Sequence, residues 1–201
     1  MNIYRSTVRR PNALAVLATC ILVAATMCVV APLAAAVVLL RPTASRTPAD
    51  TTATVGGLNY SVNDAWRLDP RRRVEARLAS GLPSVDRRLG RRRLLYAVFV
   101  GVTNETDHRL PMAADFALRD TRNREYAATP LGRENAFAYR PRVMAPKTHR
   151  PAPWTAAGRD LATEGLMLVF RIPRRSYKDG PLELVVHDPL HPSSVRTIET
   201  A

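Results

Sequence analysis

The sequence predicts an all-β domain, a sandwich or a barrel, that follows one N-terminal transmembrane helix. Three observations lead to this prediction. A charge-free apolar run occupies residues 13–40. Beyond it, short apolar runs alternate with turn residues, which is typical of an all-β domain. Pro and Gly are spaced so closely in that part that few helices of more than about three turns can form.

The apolar run is long enough to cross a bilayer. Its 28 residues would reach about 42 Å as a helix, whereas the hydrocarbon core is about 30 Å thick. The apolar core of a cleaved signal peptide has only about 7 to 15 residues. We therefore expect an uncleaved signal anchor at residues 13–40 that holds the protein in the lipid bilayer.

Charges on either side of the run predict its orientation. Three arginines precede it within residues 1–12, and only Arg41 and Arg46 follow it at comparable distance. This small excess favours a cytoplasmic tail at residues 1–12 and a C-terminal domain outside the cell membrane. Both cysteines, Cys20 and Cys28, lie within the run, so no disulfide stabilises that domain.

Residues 41–54 are rich in Pro, Thr, Ala and Ser and predict a flexible linker. The domain itself spans residues 55–201, enough to bury a hydrophobic core. Its strongest strand is LLYAVFVGVT, residues 94–103, whose two apolar faces indicate a central position. The other predicted strands are residues 58–66, a hairpin from Phe116 through Tyr126, residues 166–172 ended by Pro173, residues 182–186 and residues 195–198.

Four segments in this order carry a resemblance: Val55-Gly56-Gly57-Leu58, Val102-Thr103-Asn104, Phe116-Ala117-Leu118-Arg119-Asp120 and Gly165-Leu166-Met167-Leu168-Val169-Phe170-Arg171-Ile172-Pro173. With them, residues 55–189 resemble the telokin-like, immunoglobulin-like domains of unknown function on bacterial lipoproteins and single-pass membrane proteins. In that family a Pro-Gly loop usually precedes the last segment; here a longer Pro-rich stretch, residues 144–157, takes its place. The resemblance implies an immunoglobulin-like antiparallel β-sandwich with an adhesion, sensing or scaffold role and no common catalytic residues.

Residues 67–93 interrupt that resemblance with an arginine-rich insertion. It holds ten arginines against three acidic residues, a net charge of +7. Val74 and Leu78, four residues apart, allow a short helix with one apolar stripe. One interpretation is a solvated insertion that follows the arginine bias of the whole chain, which has only two lysines, Lys147 and Lys178.

The other interpretation of the insertion is a polyanion-binding surface. Guanidinium groups bind phosphate and carboxylate groups in a bidentate manner. Ligands would be an anionic envelope polymer, lipid headgroups or an acidic protein partner. The candidate residues are Arg71, Arg72, Arg73, Arg91, Arg92 and Arg93.

Other function classes have weaker support. No serine lies in a G-x-S-x-G elbow and no cysteine lies outside the membrane run, so we predict no enzyme. No nucleic-acid-binding fold is recognisable in an exported domain, and we expect no nucleic-acid partner. We expect Trp66 and Trp154 to pack in the core or against loops. The alternative is an exposed aromatic patch of Phe137, Tyr139 and Trp154 that binds a protein partner.

We also predict no cofactor and no metal site. His187 and His191 have helical spacing, but the neighbouring prolines break the helix that a metal site would require. A soft copper site remains as a minor alternative, formed by His108, His149, Met112 and Met144. The sequence thus predicts a membrane-anchored interaction or structural module, with polyanion binding as the alternative.

Overall fold

The computed structural model describes residues 51–73, 75–87, 89–90, 92–160 and 164–200. The predicted tail, the anchor at residues 13–40 and most of the linker lie outside these residues. Within them, no helix has both the length and the apolar character needed to cross a membrane. The transmembrane anchor therefore stays a prediction.

The described part contains eleven strands and three short helices. The strands are β1 (Thr52–Val55), β2 (Leu58–Leu68), β3 (Arg93–Asn104), β4 (Leu110–Pro111), β5 (Phe116–Arg119), β6 (Glu125–Ala127), β7 (Val143–Met144), β8 (Thr148–Arg150), β9 (Leu166–Pro173), β10 (Leu182–His187) and β11 (Val195–Thr200). The helices are α1 (Ser84–Arg87), α2 (Ala156–Arg159) and α3 (Arg174–Lys178).

These strands form two antiparallel sheets. In the first sheet, β1 pairs with β2 and β2 with β3, and the other edge of β3 pairs with β9 and then β8. The second sheet has the order β11-β10-β5-β6, and β4 and β7 form a separate small ladder. The prediction of an all-β antiparallel fold is confirmed. Because the sheets are separate layers around a shared core, the fold is a sandwich and not a barrel.

The core between the two sheets consists of every second residue of each strand. Tyr60 of β2, Val98 of β3 and Phe170 of β9 meet Leu118 of β5 and Leu184 of β10, and all five side chains are fully buried. This arrangement follows from the period of two along a strand, which places alternate side chains on one face. Burial of these large apolar groups is the main stabilising term of the domain.

The central position of β3 is confirmed, since strands flank it on both edges. The predicted first strand corresponds to β2, but β1 precedes it from Thr52, inside the segment predicted as linker. Gly56 and Gly57 connect these two strands with φ values of 55° and 79°. Two consecutive positive φ angles suit a two-residue hairpin turn, and glycine adopts them without steric cost. The turn therefore lets residues 52–55 pair with β2.

The arginine-rich insertion covers the outer face of the first sheet. Leu78, Ala79 and Leu82 are at most 4% exposed and belong to a second core cluster with Phe99 of β3 and Val169 of β9. Because this face is covered, β9 buries residues of both faces, although the sequence pattern assigned only one face to the core. The apolar side chains of the insertion thus pack on the sheet, whereas its arginines, such as Arg72 and Arg77, stay exposed to solvent.

In the described residues around Leu78, no regular helix is present; Val74, the other residue of the predicted apolar stripe, lies outside the described residues. Residues 70–73 and 75–81 are turns and a bend, held by backbone bonds such as Ala76 N–H to Arg72 O (2.9 Å). Asn135 fastens the end of this stretch, because its Nδ2 donates to the carbonyls of Leu78 and Ser80 (both 2.8 Å). The bond from Ala76 to Arg72 spans four residues as in an α-helix, and bonds that span three residues, such as Leu78 N–H to Glu75 O (3.0 Å), accompany it. The stretch therefore forms helical turns of mixed type.

Candidate functional site

Three neighbouring strand ends bring arginines together at one end of the first sheet. Arg67 lies one residue before the end of β2, Arg93 begins β3, and Arg174 directly follows the end of β9. Since β3 runs antiparallel to both neighbours, its start adjoins their ends. The topology therefore collects arginines that are far apart in sequence.

A cleft of about 410 Å³ opens at this end of the sheet, and we call it the basic cleft. Its floor includes Leu68, Leu94 and Leu95, each at most 5% exposed. Its charged lining consists of Arg67, Arg71, Arg93 and Arg174 together with Asp69 and Asp86.

Neither aspartate neutralises a guanidinium of the cleft. Asp86 is 5% exposed and pairs outside the arginine set, with its Oδ1 2.9 Å from Nη1 of Arg171. Asp69 Oδ1 accepts the backbone N–H of Arg71 at 3.1 Å. None of the four cleft arginines forms an ion pair with a carboxylate of the described residues. Four arginines against two aspartates therefore leave a net positive charge in the described lining, over an apolar floor.

The structure places two of the six candidate arginines, Arg71 and Arg93, in this cleft. Arg72 instead lies with its Nη1 3.7 Å from Oε1 of Glu75. The remaining candidates are Arg73 and Arg92, which are exposed and outside the cleft lining, and Arg91, which lies outside the described residues.

Arg174 is not among the six candidate arginines, because nothing in its local sequence links it to the insertion. The available signal was its position immediately after Pro173, the residue predicted to end a strand. This position indicates a place in the cleft only when the end of β9 is known to adjoin the start of β3.

The carboxylate with the most strongly lowered pKa, that of Asp120, belongs to a different cluster. Asp120 Oδ2 accepts hydrogen bonds from Nε of Arg124 (2.9 Å) and the hydroxyl of Tyr126 (2.9 Å), and Ser176 Oγ lies 3.0 Å from that same hydroxyl. Burial alone would raise the pKa of Asp120, but these hydrogen bonds hold it well below its usual range. The Asp120 side chain is fully buried, and the cluster joins the β5–β6 turn to α3 through Ser176.

The predicted aromatic patch does not form. Phe137 is 7% exposed and Tyr139 is half-buried, whereas Trp154 is 75% exposed. Tyr139 donates to the carbonyl of Ala113 (2.8 Å), and the N–H of Ala113 donates to the hydroxyl of Tyr60 (2.7 Å). Burial raises the pKa of both tyrosines. This pair fastens a loop to the core, and Trp154 alone of the three aromatic residues faces solvent.

The residues of the copper alternative are also separated by burial. Met112 and Met144 are 3% and 2% exposed within the main core, whereas His108 and His149 are exposed. His149 Nδ1 lies 3.0 Å from the hydroxyl of Thr103. Across the described ranges, no three His, Cys, Asp or Glu side chains are grouped so that they could hold a metal ion.

The fold and the site define a class: a two-sheet antiparallel β domain with a basic cleft at one end of its larger sheet. No family model and no curated protein matches this chain.

Three solved structures are similar to it. The yjhA protein of Bacillus subtilis is 13% identical with a TM-score of 0.45, over 75% of this chain and 96% of its own. A conserved hypothetical protein of Bacillus anthracis is 10% identical with a TM-score of 0.44, over 76% and 93%. A candidate lipoprotein of Bacillus subtilis, ycdA, is 13% identical with a TM-score of 0.44, over 76% of this chain but only 38% of its own. None of these descriptions states an activity or a ligand.

Proposed function

We propose that this chain is a membrane-anchored, extracytoplasmic binding module of a bacterial envelope, without enzymatic activity. Its immunoglobulin-like sandwich would be displayed by the anchor at residues 13–40, and its basic cleft would bind phosphate or carboxylate groups of an envelope polyanion. The observation that carries this proposal is the convergence of four arginines without a carboxylate partner among the described residues.

The chemistry of the cleft suits such a ligand. A guanidinium donates two parallel hydrogen bonds to one phosphate or carboxylate, which orients the group as well as attracting it. The volume of about 410 Å³ lies within the about 300 to 1,000 Å³ of ordinary ligand sites. It would hold one charged unit of a polymer. An acidic segment of a partner protein presents the same carboxylates and would use the same arginines.

The size of the effect follows from the exposure of these arginines. Arg67, Arg71, Arg93 and Arg174 are all exposed, and one exposed ion pair contributes about 0.2 to 1 kcal/mol. Loss of three such pairs therefore predicts a decrease in affinity of about tenfold. Added salt weakens the same interactions by screening them.

The test compares two charge-matched triple variants of the full chain in neutral phosphatidylcholine nanodiscs. The first replaces Arg71, Arg93 and Arg174 by Gln. The control replaces their exposed neighbours outside the cleft, Arg73, Arg92 and Arg175, and so removes the same charge. Binding of fluorescent polyphosphate is measured by anisotropy at two salt concentrations.

We expect the cleft variant to lose about tenfold in affinity and the control to stay within about twofold of the unmodified chain. Equal losses in both variants would show that binding follows net charge and not the cleft. No measurable binding of polyphosphate or polyglutamate by the unmodified chain would exclude the polyanion function altogether.

A further inference from the structure

A second cleft lies at the opposite end of the first sheet, and we call it the arginine-rimmed pocket. It opens near β8, which pairs with residues 102–104 of β3. Residue 102 lies nine residues after Arg93, which is about 30 Å along β3. The pocket encloses about 250 Å³, and its rim consists of Arg133, Arg140, Arg142 and Arg150.

The floor of this pocket is apolar. Met112, Ala138, Ala152 and Ala157 are each at most 7% exposed and contribute to its wall with half-buried Leu166. The described lining contains no Asp or Glu.

The carboxylate nearest in sequence belongs to Glu134, which is not among the lining residues. It lies against Gly132, the residue whose carbonyl accepts a hydrogen bond from Arg140, and forms no ion pair with a described arginine of the pocket. The pocket thus combines positive charge at its mouth with an uncharged interior.

The loop that carries three of these arginines, residues 128–142, is fixed to the rest of the domain. Asn135 Oδ1 accepts the N–H of Phe137 (2.9 Å) while its amide nitrogen donates to the insertion. The N–H of Tyr139 donates to the carbonyl of Met167 (2.9 Å), and the N–H of Met112 to that of Arg142 (2.9 Å). A backbone fixed in this way loses little conformational entropy when a ligand binds.

Within the described part of the chain, the rim arginines have no carboxylate partner. Arg140 Nη2 donates to the carbonyl of Gly132 (2.7 Å), but no rim arginine forms an ion pair with a described carboxylate. Arg140 and Arg150 are half-buried, and Arg133 and Arg142 are exposed. Four like charges around one opening repel each other, and a bound anion removes that cost.

We propose that the arginine-rimmed pocket binds a small amphiphilic anion, a phosphate or carboxylate group joined to a short hydrocarbon chain. The charged group lies between the rim arginines, and the chain covers the apolar floor. The volume is below the about 300 to 1,000 Å³ of drug-sized ligand sites, which limits the ligand to a short chain. This site is separate from the basic cleft and does not depend on the polyanion function.

The test uses three probes that separate charge from chain: butyl phosphate, inorganic phosphate and 1-butanol. Isothermal titration calorimetry measures each against the full chain in neutral nanodiscs. Burial of part of the butyl chain predicts that butyl phosphate binds about tenfold more tightly than inorganic phosphate. Butanol lacks the charge and is expected to give no measurable heat of binding.

Two double variants assign the site. The first, Arg140→Gln with Arg150→Gln, removes the two half-buried arginines of the rim. The second, Arg133→Gln with Arg142→Gln, removes the two exposed arginines, and we expect little effect of this second variant on folding. Each is expected to weaken butyl phosphate binding about tenfold. The charge-matched control replaces Arg109 and Arg159, which are exposed and outside the pocket lining, and is expected to change binding by less than twofold.

Equal affinities for butyl phosphate and inorganic phosphate would overturn the proposal, as would equal losses in the rim and control variants. The cleft variant at Arg71, Arg93 and Arg174 keeps its butyl phosphate affinity if the two sites are independent. That variant thus separates failure of this proposal from failure of the polyanion function.

Discussion

Replacement of Leu78 by alanine tests whether the arginine-rich insertion stabilises the domain. Leu78 is 3% exposed and belongs to the second core cluster, on the outer face of the first sheet. The substitution removes three carbon atoms from this cluster without changing any charge. A solvated insertion would tolerate this change, whereas a packed layer would not.

The expected loss follows from the burial of Leu78. Three buried carbon atoms at about 0.8 kcal/mol each account for about 2.4 kcal/mol of transfer free energy. The cavity left behind adds to this, so that measured losses for buried Leu to Ala lie at about 2 to 5 kcal/mol. We expect a loss of about 3 kcal/mol in the free energy of unfolding. For a domain of about 150 residues this corresponds to a decrease in Tm of about 6 to 12 °C.

The assay is thermal unfolding of the full chain in detergent micelles, followed by circular dichroism. Val85 provides the matched control, because it lies in the same insertion but is 65% exposed. Val85→Ala is expected to change the free energy of unfolding by less than about 0.5 kcal/mol. If Leu78→Ala lowers the Tm no more than Val85→Ala does, the insertion is not part of the core and the reasoning is wrong.

Two further predictions concern the buried carboxylate and the membrane topology. The pKa of Asp120 is lowered in the folded state, so its stabilising effect is complete above the unfolded pKa of about 3.9 and is lost as the pH falls through the folded pKa. Asp120→Asn should therefore cost about 2 kcal/mol at pH 7 and less at pH 3, as measured by urea unfolding; an unchanged difference between the two pH values would contradict the cause assigned. External protease applied to intact cells should degrade residues 55–201, and protection of that domain would refute the proposed orientation.

The strands were largely predictable because burial in a sandwich follows the period of two that the sequence displays. The strand at residues 94–103 is apolar on both faces and was therefore predicted to lie between two neighbouring strands. In the structure, β3 pairs with a strand on each of its edges. The β1 strand was not predictable in the same way. Its sequence TATV is short and polar on one face, and pairing with β2 through the turn at Gly56 and Gly57 stabilises it.

The basic cleft was predictable only in part. Charge density identified the insertion, and Arg71 and Arg93 do line the cleft. The charge density could not distinguish these two arginines from Arg72, whose guanidinium lies near Glu75. Which of several adjacent arginines faces a cleft depends on backbone direction at each position, and composition carries no information on that.

The sequence by itself determined the features that depend on local pattern: an apolar run long enough for a membrane, a cysteine-free domain beyond it, and alternating strands typical of an all-β domain. Only the tertiary structure decided which side chains meet. Strand register brings Arg67, Arg93 and Arg174 to one end of the sheet, and the insertion covers an outer face that would otherwise expose Phe99 and Val169. Local patterns follow from the period of a single strand, whereas clefts and second cores follow from contacts between segments far apart in the chain.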